Sequence, residues 1–155
     1  MRAGPARLTE MAYDKLRRAF DAGLFDRELC EIAAPPTQQE IDDAESDLGL
    51  PISDELRQLL LAWGGSDLHE IRIHSAAELS VIGGLIAFAT DYSGSLFMTD
   101  PEDGGAVYAD DAHSGETIYL APSVSTFVDD FLLGPKGEDF YGEDWVRALR
   151  ENGLA

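Results

Sequence analysis

The first residues to test for chemistry are three histidines, a single cysteine and clustered carboxylates. His69 and His74 could in principle share a metal ion or supply a base. They fall five apart where Ile71 and Ile73 alternate with Arg72, and an odd spacing on a strand sends two side chains to opposite faces. Joint chelation would need a bulge, so they read as solvated or strand-end histidines. Asp100-Pro101-Glu102-Asp103-Gly104-Gly105 invites a calcium reading, because hard cations want clustered carboxylates. An EF-hand loop needs an acid at its fifth position and a glutamate at its twelfth. Here those positions hold Gly104 and Asp111, which leaves a charged hairpin turn. Asp110-Asp111 with His113 could be a fragment of a hydrolase site, yet adjacent strand residues face opposite ways and no nucleophile is identifiable nearby. Cys30 has no adjacent base and reads as a small hydrophobe. Neither nucleotide-binding glycine fingerprint occurs, and Gly64-Gly65 and Gly83-Gly84 lack the helix start that phosphate cradling uses. The reading is of no catalytic residue, no metal and no cofactor.

What remains is the field. Eleven basic residues against thirty acidic ones give a formal net charge of −19. Counterion release cannot drive such a chain onto nucleic acid or an anionic membrane, so a basic protein is the expected partner. The charge is uneven: residues 1–30 carry six basic and five acidic side chains, residues 31–155 five and twenty-five. Between Arg72 and Lys136 lie 63 residues with ten acids and no Lys or Arg. Solubility alone accounts for net charge of this sign, but a merely soluble surface usually intersperses both signs. The one-signed stretch is therefore read as a binding face. Asp100, Glu102, Asp103, Asp110, Asp111 and Glu116, in or beside expected turns, are its candidate partner-binding residues.

The elements that must position these acids are legible from periodicity and caps. At roughly 150 residues per domain, 155 residues allow one compact domain, and a 45% hydrophobic content excludes wholesale disorder. Thr9 to Ala22 reads as an amphipathic helix with Tyr13, Leu16 and Phe20 on one face and Gly23 as its stop. Pro35-Pro36 marks a join. Thr37-Gln38-Gln39-Glu40 has capping-box spacing and opens a helix closed by Gly49 and Pro51. Ser53 caps a third, where Leu56, Leu59, Leu60 and Trp63 share a face before Gly64-Gly65, so Trp63, Gly64 and Gly65 are assigned structural roles. The period then changes to two. Short runs at Leu85 to Thr90, Ser95 to Thr99, Ala106 to Ala109 and Thr117 to Leu120, separated by glycine turns, follow Ile71 to Ile73 at the spacing of hairpins. Two helices close the chain, one from Ser123 through Phe127, Phe131 and Leu132, the other over Glu143 to Asn152. This order predicts an α+β fold: an antiparallel sheet of about five strands with helices before and after it packed against it.

No apolar run before a small-residue cleavage site marks a secretory leader. The longest uncharged runs are twelve residues, short of the 18 or so of a membrane span. One cysteine suits a reducing compartment, and the expected location is cytoplasmic.

Leu48-Gly49-Leu50-Pro51, then Glu55-Leu56 and Leu59-Leu60, closed by Trp63-Gly64-Gly65, resembles the opening signature of the SUKH superfamily. Ile86 to Asp91 with Gly94 and Leu96-Phe97 is similar to its central hairpin, Val107-Tyr108 to the next strand, and Ser123 to Leu132 to its closing helix. Ser53 and Trp63 depart from the pattern, where members often have a second proline and an asparagine. The resemblance covers about residues 36 to 133, and the chain divides into an N-terminal helical extension, 1–34, and a SUKH-like domain, 35–155. This superfamily joins fungal cell-wall assembly regulators of the Smi/Knr type to bacterial immunity proteins, and its members are generally non-enzymatic binders. The resemblance implies an immunity protein that neutralises a cognate toxin, with a regulatory or scaffold module as the alternative. An acidic surface suits a basic, nuclease-type toxin.

With no ligand set visible and apolar stripes sufficient for a core, folding should be metal-independent. The melting temperature is expected to be the same with and without EDTA; a large drop on chelation would contradict this.

Overall fold

A computed structural model describes residues 13–111 and 114–154. His113 and the expected Thr9 cap lie outside these residues. The capping signals at Thr37 and Ser53 fold as read, whereas Tyr13, expected inside the first helix, turns at φ 63° and precedes it. α1 spans Asp14–Asp21, α2 Gln38–Leu48 and α3 Asp54–Trp63. At α2, Thr37 Oγ1 accepts from the Glu40 N–H at 3.1 Å while Glu40 accepts from the Thr37 N–H at 2.9 Å. At α3, Ser53 Oγ accepts from the Leu56 N–H at 3.2 Å. These bonds satisfy amides that a helix start leaves without partners.

The sheet is antiparallel and has eight strands among the described residues: β1 Cys30–Glu31, β2 Asp67–Leu68, β3 Ile71–Ile73, β4 Ser80–Ile82, β5 Leu85–Asp91, β6 Leu96–Asp100, β7 Ala106–Asp110 and β8 Thr117–Ala121. Their order is β1-β2-β3-β5-β6-β7-β8, with β4 pairing the first half of β5 and β3 the second. The count exceeds the expected five because β1, β2 and β4 are two or three residues long, too short for alternation to register.

Two bulges decide which side chains face the helices. Ala87 pairs with Met98 and Ala89 with Phe97, so Phe88 is the extra residue in β5. A bulge of this kind puts neighbours on the same side, and Phe88 and Ala89 both join the helix-side core with Ile86. In β8, Ala121 pairs with Val107 and Tyr119 with Tyr108, which makes Leu120 the extra residue, and Leu120 and Ala121 both pack toward that core.

The segment after β8 departs from an ordinary helix. α4 is one turn, Val124–Thr126, continued by a π-helix over Phe127–Leu132 in which the Leu133 N–H reaches back to the Val128 carbonyl at 3.1 Å. Phe127 fills the space over the sheet centre, its ring 5.8 Å from Phe88 and 5.1 Å from Phe97. The wider turn also lets Phe131 stack on Phe127 at 5.5 Å. A single inserted residue is the usual origin of such a turn, and hydrophobic spacing alone does not reveal it.

α5, Glu138–Tyr141, and α6, Trp145–Glu151, return to the start of the chain. Phe25 packs against Tyr141 at 5.2 Å and Trp145 at 5.5 Å, and Phe20 against Trp63 at 5.7 Å. The Tyr141 hydroxyl donates to the Leu68 carbonyl at 3.0 Å, and the Trp145 indole N–H to the Leu132 carbonyl at 2.8 Å. Tyr13, Leu16, Ala19 and Phe25 are buried in the same core as the sheet. At the end of α3 the backbone makes a close approach. A Cβ on Gly64 would lie 2.6 Å from the Leu60 carbonyl oxygen and 3.0 Å from Pro36 Cδ, and Gly65 turns at φ 81°.

The π-helix carries one polar defect. Asp129 Oδ1 is buried with no hydrogen-bond partner among the described residues. Burial holds this carboxyl above the usual range, Lys15 pulls it down, and Asp130, Glu55 and Asp14 push it up again. The Lys15 ammonium meanwhile donates to the Asp129 backbone carbonyl at 2.8 Å. A carboxyl whose affinity for protons rises on folding loses stabilising effect as pH climbs from the ordinary carboxylate range through its elevated value. Asp129→Asn should therefore raise the unfolding midpoint at neutral pH and lose that advantage near about pH 3, where the aspartic acid is protonated in both states. An advantage that stays constant with pH would contradict the burial of charge. Trp63→Ala should cost about 3–5 kcal/mol in urea unfolding by opening a cavity; an unchanged midpoint would show that Trp63 is not part of the core.

Candidate partner-binding surface

Hairpin parity sets where the acids go. In a meander, alternate turns lie at opposite ends of the sheet. The β5–β6 turn, with Asp91, and the β7–β8 turn, with Asp111 and Glu116, share one end. The β6–β7 turn, with Asp100, Glu102 and Asp103, lies at the other. The four steps from Ala106 to Asp110 separate the two ends by about 14 Å at 3.4 Å per residue. The six candidate acids are thus not one patch.

The 100–105 turn uses its polar groups on itself. Asp100 Oδ1 accepts from the Glu102 N–H at 2.9 Å, the Asp100 carbonyl accepts from Gly105 at 3.0 Å, and the Thr99 hydroxyl donates to the Gly105 carbonyl at 2.8 Å. Glu102 and Asp103 are exposed, whereas Asp100 is half-buried. At the other end Asp110 is paired with Leu96, whose Thr90 neighbour bonds His74, so it faces away from the helices. Asp111, one residue on, faces the helix side, and Ser114 Oγ donates to it at 2.8 Å. Glu116 is exposed in the same turn.

Asp111 lies on the rim of a cleft of about 510 Å³ between the sheet and the helices that follow it. Phe97, Ala109, Ile118 and Leu120 form its sheet wall, Phe131 and Phe140 its helix wall. Glu70, Asp91, Asp111 and Asp139 ring it, together with Tyr92, which is 71% exposed. Among the described residues no Lys or Arg lines it. Asp91 also builds its own turn: its Oδ1 accepts from the Ser93 N–H at 3.0 Å, the Ser93 hydroxyl at 2.8 Å and the Ser95 N–H at 2.9 Å. An apolar floor within an acidic rim suits a ligand that is apolar at its tip and cationic at its edges. Glu70, Asp91 and Asp139 were not among the sequence candidates. Parity could have found Glu70 and Asp91, which flank β3 and β5 at the end that carries Asp111. Asp139 depends on the π-turn and had no local signal.

The one cation between α3 and the end of β8 does not offset this field. Arg72 grips Glu78 through two bonds of 2.8 and 3.0 Å and reaches Asp67 at 3.3 Å. Burial opposes ionisation of Glu78, but bonds from the Ser75 N–H and from Arg72 hold its carboxyl below the usual range. The guanidinium is thus already matched by carboxylates.

The remaining chemical candidates are engaged in the fold. His69 sits in the β2–β3 turn at φ 68°, its Nε2 3.2 Å from Glu70. His74 follows β3. Its Nδ1 lies 3.3 Å from the Ala87 carbonyl and its Nε2 2.6 Å from Thr90 Oγ1. A carbonyl only accepts, so Nδ1 carries the proton and Nε2 accepts from Thr90. Burial lowers the His74 pKa and favours this neutral form. Burial, followed by the nearby Asp26, pushes the Cys30 thiol up, away from thiolate reactivity. Among the described residues no group of three or more His, Cys, Asp or Glu is placed to hold a metal ion, and no helix is long and apolar enough to cross a membrane.

Comparison with curated proteins found no match, and comparison with solved structures found none. A family model described as the SMI1 / KNR4 family (SUKH-1) matches residues 35–130. The match takes in α2, α3 and strands β2 to β8, and so includes the sheet wall of the cleft; Phe131, Asp139 and Phe140 lie beyond it. With 96 of its 155 residues matched in this way, the chain belongs to the SMI1 / KNR4 family, the SUKH-1 branch that its α3 and hairpin motifs resemble.

Proposed function

We propose that this protein is a non-enzymatic immunity protein that works in the cytoplasm by binding a cognate toxin stoichiometrically, the toxin being a basic, nuclease-type domain. The observation that carries the proposal is the cleft: an apolar, aromatic floor ringed by Glu70, Asp91, Asp111 and Asp139, with no Lys or Arg in its lining among the described residues. A nuclease must present cations to the phosphates of its substrate. A surface of opposite sign raises the rate of encounter, and the apolar floor supplies the contact that holds the complex. The family match covers the cleft's sheet wall, while Phe131, Asp139 and Phe140 on the helix side lie past its last residue.

The test is co-expression with the product of the adjoining gene. Restored growth and a stable one-to-one complex are expected. A complex without growth protection would favour the regulatory or scaffold alternative, and neither outcome with any basic toxin domain would overturn the proposal. Parity of the turns adds a sharper expectation. Lysines at Asp111 and Glu116 should slow association tenfold to a thousandfold at low salt, with the deficit shrinking as salt screens the field. Lysines at Glu102 and Asp103, at the far end, should have a smaller effect. Stopped-flow rates that are equal for the two double variants would contradict the cleft end as the binding face.

A further inference from the structure

We propose that the free edge of β8 is a docking strand, and that it takes up an extended partner segment in which apolar residues alternate with Lys or Arg. This names the binding mode of the acidic surface and rests on the proposed binding of a basic partner.

Among the described residues β8 ends the path of the sheet with no strand on its outer side, and its sequence, Thr117-Ile118-Tyr119-Leu120-Ala121, holds no charge and no proline. Natural sheets blunt an exposed edge with charge, proline, bulges or brevity, because unpaired N–H and C=O groups recruit another strand. The opposite edge follows that rule, since β1 has two residues. β8 has a bulge only at Leu120, which leaves Thr117 to Tyr119 regular. Ile118 and Tyr119 are 42% and 55% exposed.

The hydrogen-bond phase says which groups are open. The Asp111 N–H donates to the Glu116 carbonyl at 2.9 Å. Bonded and non-bonded pairs alternate along an antiparallel ladder, so Ile118 bonds to Ala109 while Thr117 and Tyr119 turn their N–H and C=O groups outward. An added strand would meet those groups. Side chains opposite Ile118 would enter the mouth of the cleft, beside Leu120 and Phe131. The alternate side chains would lie on the other face, near Asp110 and the Tyr108 and Tyr119 rings, which are in edge contact at 5.6 Å. The cleft side calls for apolar groups and the other face for cations, which carboxylates and aromatic faces both favour. A second copy of this chain would bring another −19 to the same edge, and that repulsion favours the basic segment.

The probe is a blocked octapeptide of alternating Lys and Val. Its titration against the full chain is followed by amide spectra and hydrogen exchange. The Thr117 and Tyr119 amides should gain protection. An alternating Glu–Val peptide and a blockwise Lys₄Val₄ peptide should each bind at least tenfold more weakly. Thr117→Pro, which removes an outward N–H and no internal bond, should weaken binding tenfold or more, and Thr117→Val should not. Equal binding of the blockwise peptide would overturn the proposal, as would absence of protection at Thr117 and Tyr119 in the unmodified chain. Self-association abolished by Thr117→Pro would also overturn it in favour of a second copy. The peptide result is independent of toxin protection, so failure here leaves the immunity reading to its own growth test.

Discussion

The bulge at Phe88 is the constraint on which the rest of the structure depends. Side chains on a strand alternate, so inserting one residue reverses the face of every residue that follows. Without the bulge, Ala89 would face away from the helices and Thr90 toward them. With it, Ile86, Phe88 and Ala89 all meet the core, and Phe127 of the π-helix closes over Phe88 and Phe97. The same reversal turns Thr90 to the opposite face, where it bonds His74, and turns Asp91 back to the helix side, where it reaches the rim of the cleft. The bulge at Leu120 acts in the same way on β8 and adds Leu120 to the cleft's sheet wall. The two irregularities therefore fix both the packing of the sheet and the chemistry of the groove beside it.

The electrostatics follow from that placement. Carboxylates that do structural work are tied up: Glu78 by Arg72 and Ser75, Asp91 by the turn it caps, Asp100 by the Glu102 amide. Those that do not, such as Asp139 and the exposed Glu116, add to the acidic field at that end of the sheet. Such a surface gives reach and orientation in an encounter, and screening limits it to about 8–10 Å at moderate ionic strength. Lasting affinity needs the desolvated apolar contact that Phe97, Ile118, Leu120, Phe131 and Phe140 offer.

Where signals were local, the amino-acid order was enough. The capping box at Thr37, the Ser53 cap and the four long strands of the meander are written in adjacent residues and fold where periodicity put them. The π-turn at Phe127 was not legible, because a helix with one extra residue keeps nearly the same apolar spacing. The two-residue strands were invisible for lack of length. The acidic turns were found, but treating six acids as one face ignored the parity of hairpins, which sends Asp100, Glu102 and Asp103 to the other end of the sheet and Asp110 to its other side. Asp139 and Phe140 join the cleft through tertiary packing alone. The SUKH resemblance came from Leu48 to Gly65, the hairpins and the helical segment from Ser123 to Leu132, and the family model's match over 35–130 covers nearly all of these.

The central claim is that a basic partner is held at the end of the sheet where Asp91, Asp111 and β8 meet. Hydrogen–deuterium exchange of the chain alone and in complex with whatever basic toxin domain the co-expression test yields tests this most directly. The account predicts slowed exchange in residues 91–95 and 111–120 and unchanged exchange in the turn at 100–105. Protection confined to 100–105, or to the sheet face around Met98 and His74, would contradict it.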